Sequence, residues 1–81
     1  MKFYKVIVGD NFLTPGSIDE VGYYSNYDKA FKALKKDLKT WGQKISFIPN
    51  LADTVKGYQG EWIDLKDNTK GIFEIRQIEI N

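Results

Sequence analysis

The apolar positions of this chain follow two different periods, and the change of period divides it into elements. Residues 2–8 interleave Phe3, Tyr4, Val6, Ile7 and Val8 with Lys2 and Lys5. These are β-forming residues, and both alternating sets contain apolar members. A strand apolar on both sides sits centrally in a sheet, or has one side on a helix and the other partly covered. Gly9-Asp10-Asn11 breaks it. Residues 9–19 read as a loop, in which Pro15-Gly16 suits the central positions of a type II turn. Residues 20–24 read as a second strand, antiparallel to the first. Val21 and Tyr23 fall on one face and Tyr24 on the other, and Gly22 marks a bulge or a close backbone approach.

The period then lengthens. Tyr27, Ala30, Phe31, Leu34, Leu38 and Trp41 recur at helical spacing, with Lys29, Lys32, Lys35, Lys36 and Lys39 on the opposite arc. Ser25 or Asn26 supplies the N-cap, and Ser25-x-x-Asp28 has the form of a capping box. Asp28 and Lys39 complement the helix dipole, and Gly42 suits the left-handed position that ends a helix.

Residues 43–60 carry a weaker pattern. Ile45, Phe47 and Ile48 alternate poorly, and Pro49-Asn50 ends any strand there. Residues 51–55 suit a short helical turn capped by Asn50, and Gly57 and Gly60 suggest a bend around Tyr58. Residues 61–80 read as a hairpin, turned by residues 67–71 with Gly71 in the left-handed conformation. The expected register sets Leu65 opposite Phe73 and Ile63 opposite Ile75. Ile78 and Ile80 are out of phase with Phe73 and Ile75, and a bulge near Arg76-Gln77 would return them to the core face. The predicted fold is α+β: a two-layer sandwich, ββαββ, with one amphipathic helix on a four-stranded, mainly antiparallel sheet.

At 81 residues the chain is a single α+β domain, residues 1–81, with a small core and no cysteine to staple it. Two Trp, five Tyr and five Phe compensate with apolar area and argue against disorder. Residues 1–8 are too short and too alternating for a signal-peptide core, so the expected location is cytoplasmic. No apolar run is long enough to span a bilayer, so no membrane association is expected.

The formal net charge is +1, but residues 26–42 alone carry +3. The excess positive charge therefore sits on the helix, at Lys29, Lys32, Lys36 and Lys39 with Lys35 beside them. This arc is either a docking face for an acidic partner or phosphate backbone, or an ordinary solvated helix face. A near-neutral total excludes an acidic DNA mimic and gives little support to a general nucleic-acid binder.

With no histidine and no cysteine, imidazole bases, thiol nucleophiles and the usual zinc ligands are removed. No serine sits in a nucleophile motif, and no glycine-rich phosphate loop is present. Glu61, Asp64 and Asp67, and the adjacent Asp19-Glu20, could approach a hard cation, but lack any recognised spacing. The expectation is a non-enzymatic protein without cofactor, metal or catalytic residue. Phe12, Leu13 and Ile18 in the first loop either cap the core or form a binding loop. A sheet with one helix leaves its other face open, and Phe3 or Tyr4, Tyr24, Tyr58 and Trp62 are the aromatics assigned to it. A contiguous patch there would mark a protein partner or a homodimer.

The stretch Val21-Gly22-Tyr23-Tyr24-Ser25-Asn26-Tyr27-Asp28-Lys29-Ala30-Phe31-Lys32-Ala33-Leu34 is a strand ending in Gly-x-Tyr/Phe-Ser, followed by a helix with Ala and Leu at core positions. It resembles small accessory proteins encoded by phages and prophages of low-GC Gram-positive bacteria, and the Lys, Asn and Ile usage agrees. The resemblance implies a protein of the host cytoplasm that binds host proteins, some such proteins being anti-defence or anti-CRISPR inhibitors. It carries over no catalytic residue. The expected function is an interaction protein that binds and modulates or inhibits a host protein, with Lys29, Lys32, Lys36, Lys39, Phe12, Leu13, Tyr58 and Trp62 as candidate contacts. The alternative is a nucleic-acid-binding accessory protein using the lysine face, and a third is a small metal-dependent enzyme using the carboxylates.

Overall fold

The computed structural model describes residues 1–48 and 57–79, with side chains from residue 59 in the second segment. Strand β1 (Lys2–Asp10) runs between β2 (Asp19–Tyr24) and β5 (Lys70–Glu79). Strand β4 (Gly57–Asp64) lies outside β5, and β3 (Gln43–Phe47) forms the far edge. The sheet therefore has five antiparallel strands in the order β2-β1-β5-β4-β3. The expected class holds, and the strand number is corrected from four to five. The added strand, β3, is short and sits at an edge, where only one face of Ile45 is covered; that is why its alternation is poor.

Helix α1 (Tyr27–Thr40) leaves one edge strand, β2, and delivers the chain to the other, β3. Its 14 residues make a helix about 21 Å long. Four inter-strand gaps of about 4.8 Å sum to about 19 Å, so the helix is as long as the sheet is wide. Asn26, not Ser25, is the N-cap: its side chain accepts a hydrogen bond from Lys29 N–H at 2.9 Å. Gly42 follows the C-cap at φ 71, and its N–H donates to the Lys39 carbonyl. Ala30, Leu34 and Leu38 are buried and Tyr27 and Phe31 partly so, but Trp41, expected on this stripe, is 66% exposed as the C-cap beyond the last helical turn.

The core consists of Val6, Val8, Ala30, Leu34, Leu38, Trp62, Phe73 and Ile75. Trp62 and Phe73 fit because the strands beside them carry glycine. A Cβ on Gly71 would meet the Trp62 indole, and one on Gly60 would meet the Phe73 ring. Gly60 and Gly71 are thus strand residues, not a bend and a turn. The positive φ of the hairpin turn falls on Asn68 instead, at 61°. The register follows: Gly60 faces Phe73 and Trp62 faces Gly71, rather than Leu65 facing Phe73 and Ile63 facing Ile75.

Other expectations give way for equally local reasons. Pro15–Ser17 is a 3₁₀ turn, with Ser17 N–H bonded to the Thr14 carbonyl, so Gly16 needs no positive φ and no type II turn forms. The β1–β2 pairing does carry an irregularity, beside Gly22, between the pairs Val6–Gly22 and Ile7–Glu20. It places Val21 against the core together with Tyr24, leaving Tyr23 on the opposite face. No bulge occurs at Arg76-Gln77, because β1 and β5 pair without interruption from Lys2–Glu79 to Asp10–Gly71. Ile78 therefore stays out of phase with Phe73 and Ile75, on the face turned away from α1. The expected turn over residues 51–55 and the position of Ile80 lie outside the described residues. No helix among the described residues is long and apolar enough to cross a membrane.

Candidate functional site

Three surfaces surround this core. The first is the outer arc of α1. At about 100° per residue, Lys29, Lys32, Lys36 and Lys39 fall within about 80° of one another, spread along about 15 Å of helix. All four are exposed, as is Lys35, whose Nζ lies 5.6 Å from the centre of the Phe31 ring. None of the five is ion-paired with a carboxylate of the described residues, among which Arg76–Glu74 is the salt bridge formed. At one end the arc opens onto a groove of about 320 Å³ between α1, β3 and the end of β4. Leu38, Ile45 and Leu65 supply its apolar lining, and Lys35, Lys39 and Lys44 its cations. Leu65 is open to solvent there because the chain turns after β4, its N–H donating to the Gly42 carbonyl. The groove was not visible in the sequence: its lining residues come from three separate elements, and only the helix periodicity hinted at one of them.

The second surface is the end of the sheet nearest the first loop. Asp10 organises that loop, its carboxylate accepting from the N–H groups of Phe12 and Thr14, each at 2.9 Å. Those hydrogen bonds, the Thr14 backbone first, hold the Asp10 carboxyl below its ordinary pKa. Ser17 completes the loop, its hydroxyl donating to the Thr14 carbonyl and accepting from Asp10 N–H. Leu13, at φ 50, sits over Gly9, whereas Phe12 is 84% exposed. Beside the loop, a cleft of about 310 Å³ is lined by Asp10, Asp19, Asp37, Trp41 and Trp62. Burial, and then the charge of Asp19, raise the Asp37 pKa. Trp62 closes the floor. Its indole passes over Gly71 and its Nε1–H donates to the Gly9 carbonyl at 2.9 Å, linking β4 to β1 across β5.

The third surface is the sheet face turned away from α1, which no described element covers beyond Leu13 and Ile18 at one end. The register puts Phe3, Ile7, Ile72, Ile78 and Ile63 there, with Tyr23 and Phe47 more exposed toward the edges. Of the aromatics assigned to this face, Phe3 belongs to it. Tyr4, Tyr24 and Trp62 lie on the helix side, so Trp62, 9% exposed, is a core residue and not a surface contact. Strand parity explains the correction: with Val6 inside, Tyr4 must be inside and Phe3 outside. The side chain of Tyr58 lies outside the described residues. The carboxylates considered for a cation are dispersed: Glu61 is on the uncovered face, while Asp64 and Asp67 bind the backbone N–H groups of Lys66 and Thr69 in the hairpin turn.

The predicted contacts thus separate into the lysine arc on one side of the molecule, Phe12 at the loop tip, and Leu13 and Trp62 in packed positions. Comparison with protein-family models, with curated proteins and with solved structures finds no match.

Proposed function

We propose that this protein is a non-catalytic interaction protein that recognises an acidic protein surface through the lysine arc of α1 and the groove beside it. One observation carries the reading: five exposed lysines without carboxylate partners among the described residues lie along α1, and two of them, Lys35 and Lys39, border a groove with an apolar floor. Exposed cations steer an acidic partner and set its orientation. The groove formed by Leu38, Ile45 and Leu65 then gives an apolar anchor, the kind of buried contact from which interfaces draw most of their affinity. The resemblance of residues 21–34 to phage-encoded accessory proteins makes a host protein the target class, and its modulation or inhibition by occupancy the effect.

The test is affinity capture from a bacterial lysate, followed by titration of the purified partner. Lys32→Glu with Lys36→Glu is expected to weaken binding at least tenfold, and Leu65→Glu to do the same through the groove. A partner bound equally well by these variants would overturn the proposal.

The length of the arc supports a second reading, in which the lysines contact a nucleic-acid backbone. Four phosphate contacts would lower affinity roughly a hundredfold between 50 and 200 mM salt. Salt-independent or absent binding to a duplex or single-stranded oligonucleotide removes this reading and leaves the first standing.

A further inference from the structure

We infer that the uncovered sheet face is a self-complementary interface that pairs with a second copy of this chain. The face is laid out in rows running across the strands, set by the pairing register. One end row is apolar, with Phe3 of β1 beside Ile78 of β5. The next is basic, with Lys5 beside Arg76. The row after that is acidic at Glu20 of β2 and Glu74 of β5, with Ile7 between them and the neutral Gln59 of β4 beyond Glu74. On β1 and β5 the next row is apolar again, with Ile72 beside Gly9, over which the Leu13 side chain lies; it continues through Glu61 of β4 to Phe47 of β3, and a row of Lys70, Ile63 and Lys44 follows it.

This order of apolar, basic, acidic and apolar decides how two copies can meet. A two-fold axis in the interface, running across the strands between the basic and acidic rows, places Arg76 on the Glu74 of the other copy, while Lys5 falls on Ile7 and Glu20 on Tyr23. It also places Phe3 and Ile78 over the Gly9–Ile72 pair of the other copy. Strand β5 then stacks on its counterpart in the reverse direction, with Ile72 over Ile78 and Glu74 over Arg76, each contact made twice. An axis parallel to the strands and lying over β5 would instead set Glu74 on Glu74 and Arg76 on Arg76, which like-charge repulsion disfavours. An unrelated partner requires no such antisymmetry. A closed two-fold pair does, because the same patch must serve as both halves.

The charged centre is already prepared. Glu74 is held by Arg76 Nε at 2.8 Å and by Gln59 Nε2 at 2.9 Å, and its side chain is only 12% exposed. Arg76 uses Nε for that contact and is 62% exposed, which leaves its outer guanidinium nitrogens for the Glu74 of a second copy. The result is a four-charge network between two apolar bands. Two sheets packed in this way form a sandwich with both helices outside, so the lysine arcs of the proposed function remain free.

Sedimentation velocity on the full chain, with circular dichroism to confirm folding, tests the inference. The wild type is expected to be dimeric. Arg76→Glu and Glu74→Arg are each expected to be monomeric, with dissociation constants raised at least tenfold. An equal mixture of the two is expected to recover a dimer, since each then faces its opposite. The doubly exchanged chain, Glu74→Arg with Arg76→Glu, keeps both the internal pair and the facing pair and is expected to stay dimeric, whether or not the single variants fold. A wild type that remains monomeric to about 1 mM, about −4.1 kcal/mol of association, overturns the inference. So does a dimer that survives both single substitutions, or a doubly exchanged chain that is monomeric. Lys32→Glu with Lys36→Glu is expected to leave the mass unchanged, which separates this interface from the partner surface on α1.

Discussion

Single residues decide how the end of the sheet is closed. Trp62 fills space over Gly71 and also satisfies the Gly9 carbonyl. Trp62→Phe removes the hydrogen bond, so a loss of about 0.5–1.5 kcal/mol is expected in urea denaturation. Asp10 and Asp37 line the same cleft, and their acidities are shifted in opposite directions. Asp10 has a folded pKa below 3.8, so its charge stabilises the fold above 3.8 and that stabilisation disappears as pH falls through the lower folded value. Wild type should therefore melt above Asp10→Asn at neutral pH, with the gap closing in acid. Asp37 has a folded pKa above 3.8, so its ionised form is penalised at neutral pH and the penalty vanishes below 3.8. Asp37→Asn should raise the melting temperature at neutral pH and lose that advantage in acid. Thermal melts of the three proteins across pH check both signs. An Asp10→Asn gap that widened in acid would contradict the loop geometry.

Among the elements, α1 is the one whose ends were written most openly in the sequence. Its cap, stripe, charged arc and glycine stop are all local signals, because each concerns residues within one turn of each other. Only the choice of Asn26 over Ser25 and the exposure of Trp41 needed the surrounding structure. Asn26→Ala leaves Lys29 N–H without its partner. It is expected to cost about 1 kcal/mol of stability, read as a lower urea midpoint at unchanged slope. The strands were less legible. Whether Ile78 belongs with Phe73 or opposite it depends on what lies on each side of β5, and both sides are set by β1, some seventy residues earlier in the chain. The phase of Ile78 against Phe73 and Ile75 suggests a bulge when read from the sequence alone. In the fold Ile78 is instead the mark of a strand apolar on both faces.

At the scale of the molecule, the core joins residues from α1, β1, β4 and β5 into one cluster, and Trp62 spans three strands. Unfolding is therefore expected to be a single cooperative transition, with far-ultraviolet circular dichroism and tryptophan fluorescence giving superimposable urea curves. Separate transitions would mean that the β4–β5 hairpin opens independently of the helix layer. The cluster covers one face of the sheet only. The other carries its apolar residues in half-exposed positions, a surface of the kind that marks interaction in soluble proteins.

What the sequence determined by itself was everything that short-range periodicity can encode: the helix and its limits, the first strand, the hairpin, the α+β class, and the concentration of positive charge on one helical arc. It also excluded histidine and cysteine chemistry outright. What only the tertiary structure decided was pairing. Strand order, the fifth strand, the register that puts glycines under Trp62 and Phe73, the removal of Trp62 from the surface, the groove beside α1 and the row order of the uncovered face all depend on contacts between distant residues. Alternation names the two sides of a strand but not which side a helix will cover. That choice is made by the combined packing of β1, β4, β5 and α1, and no single segment holds it.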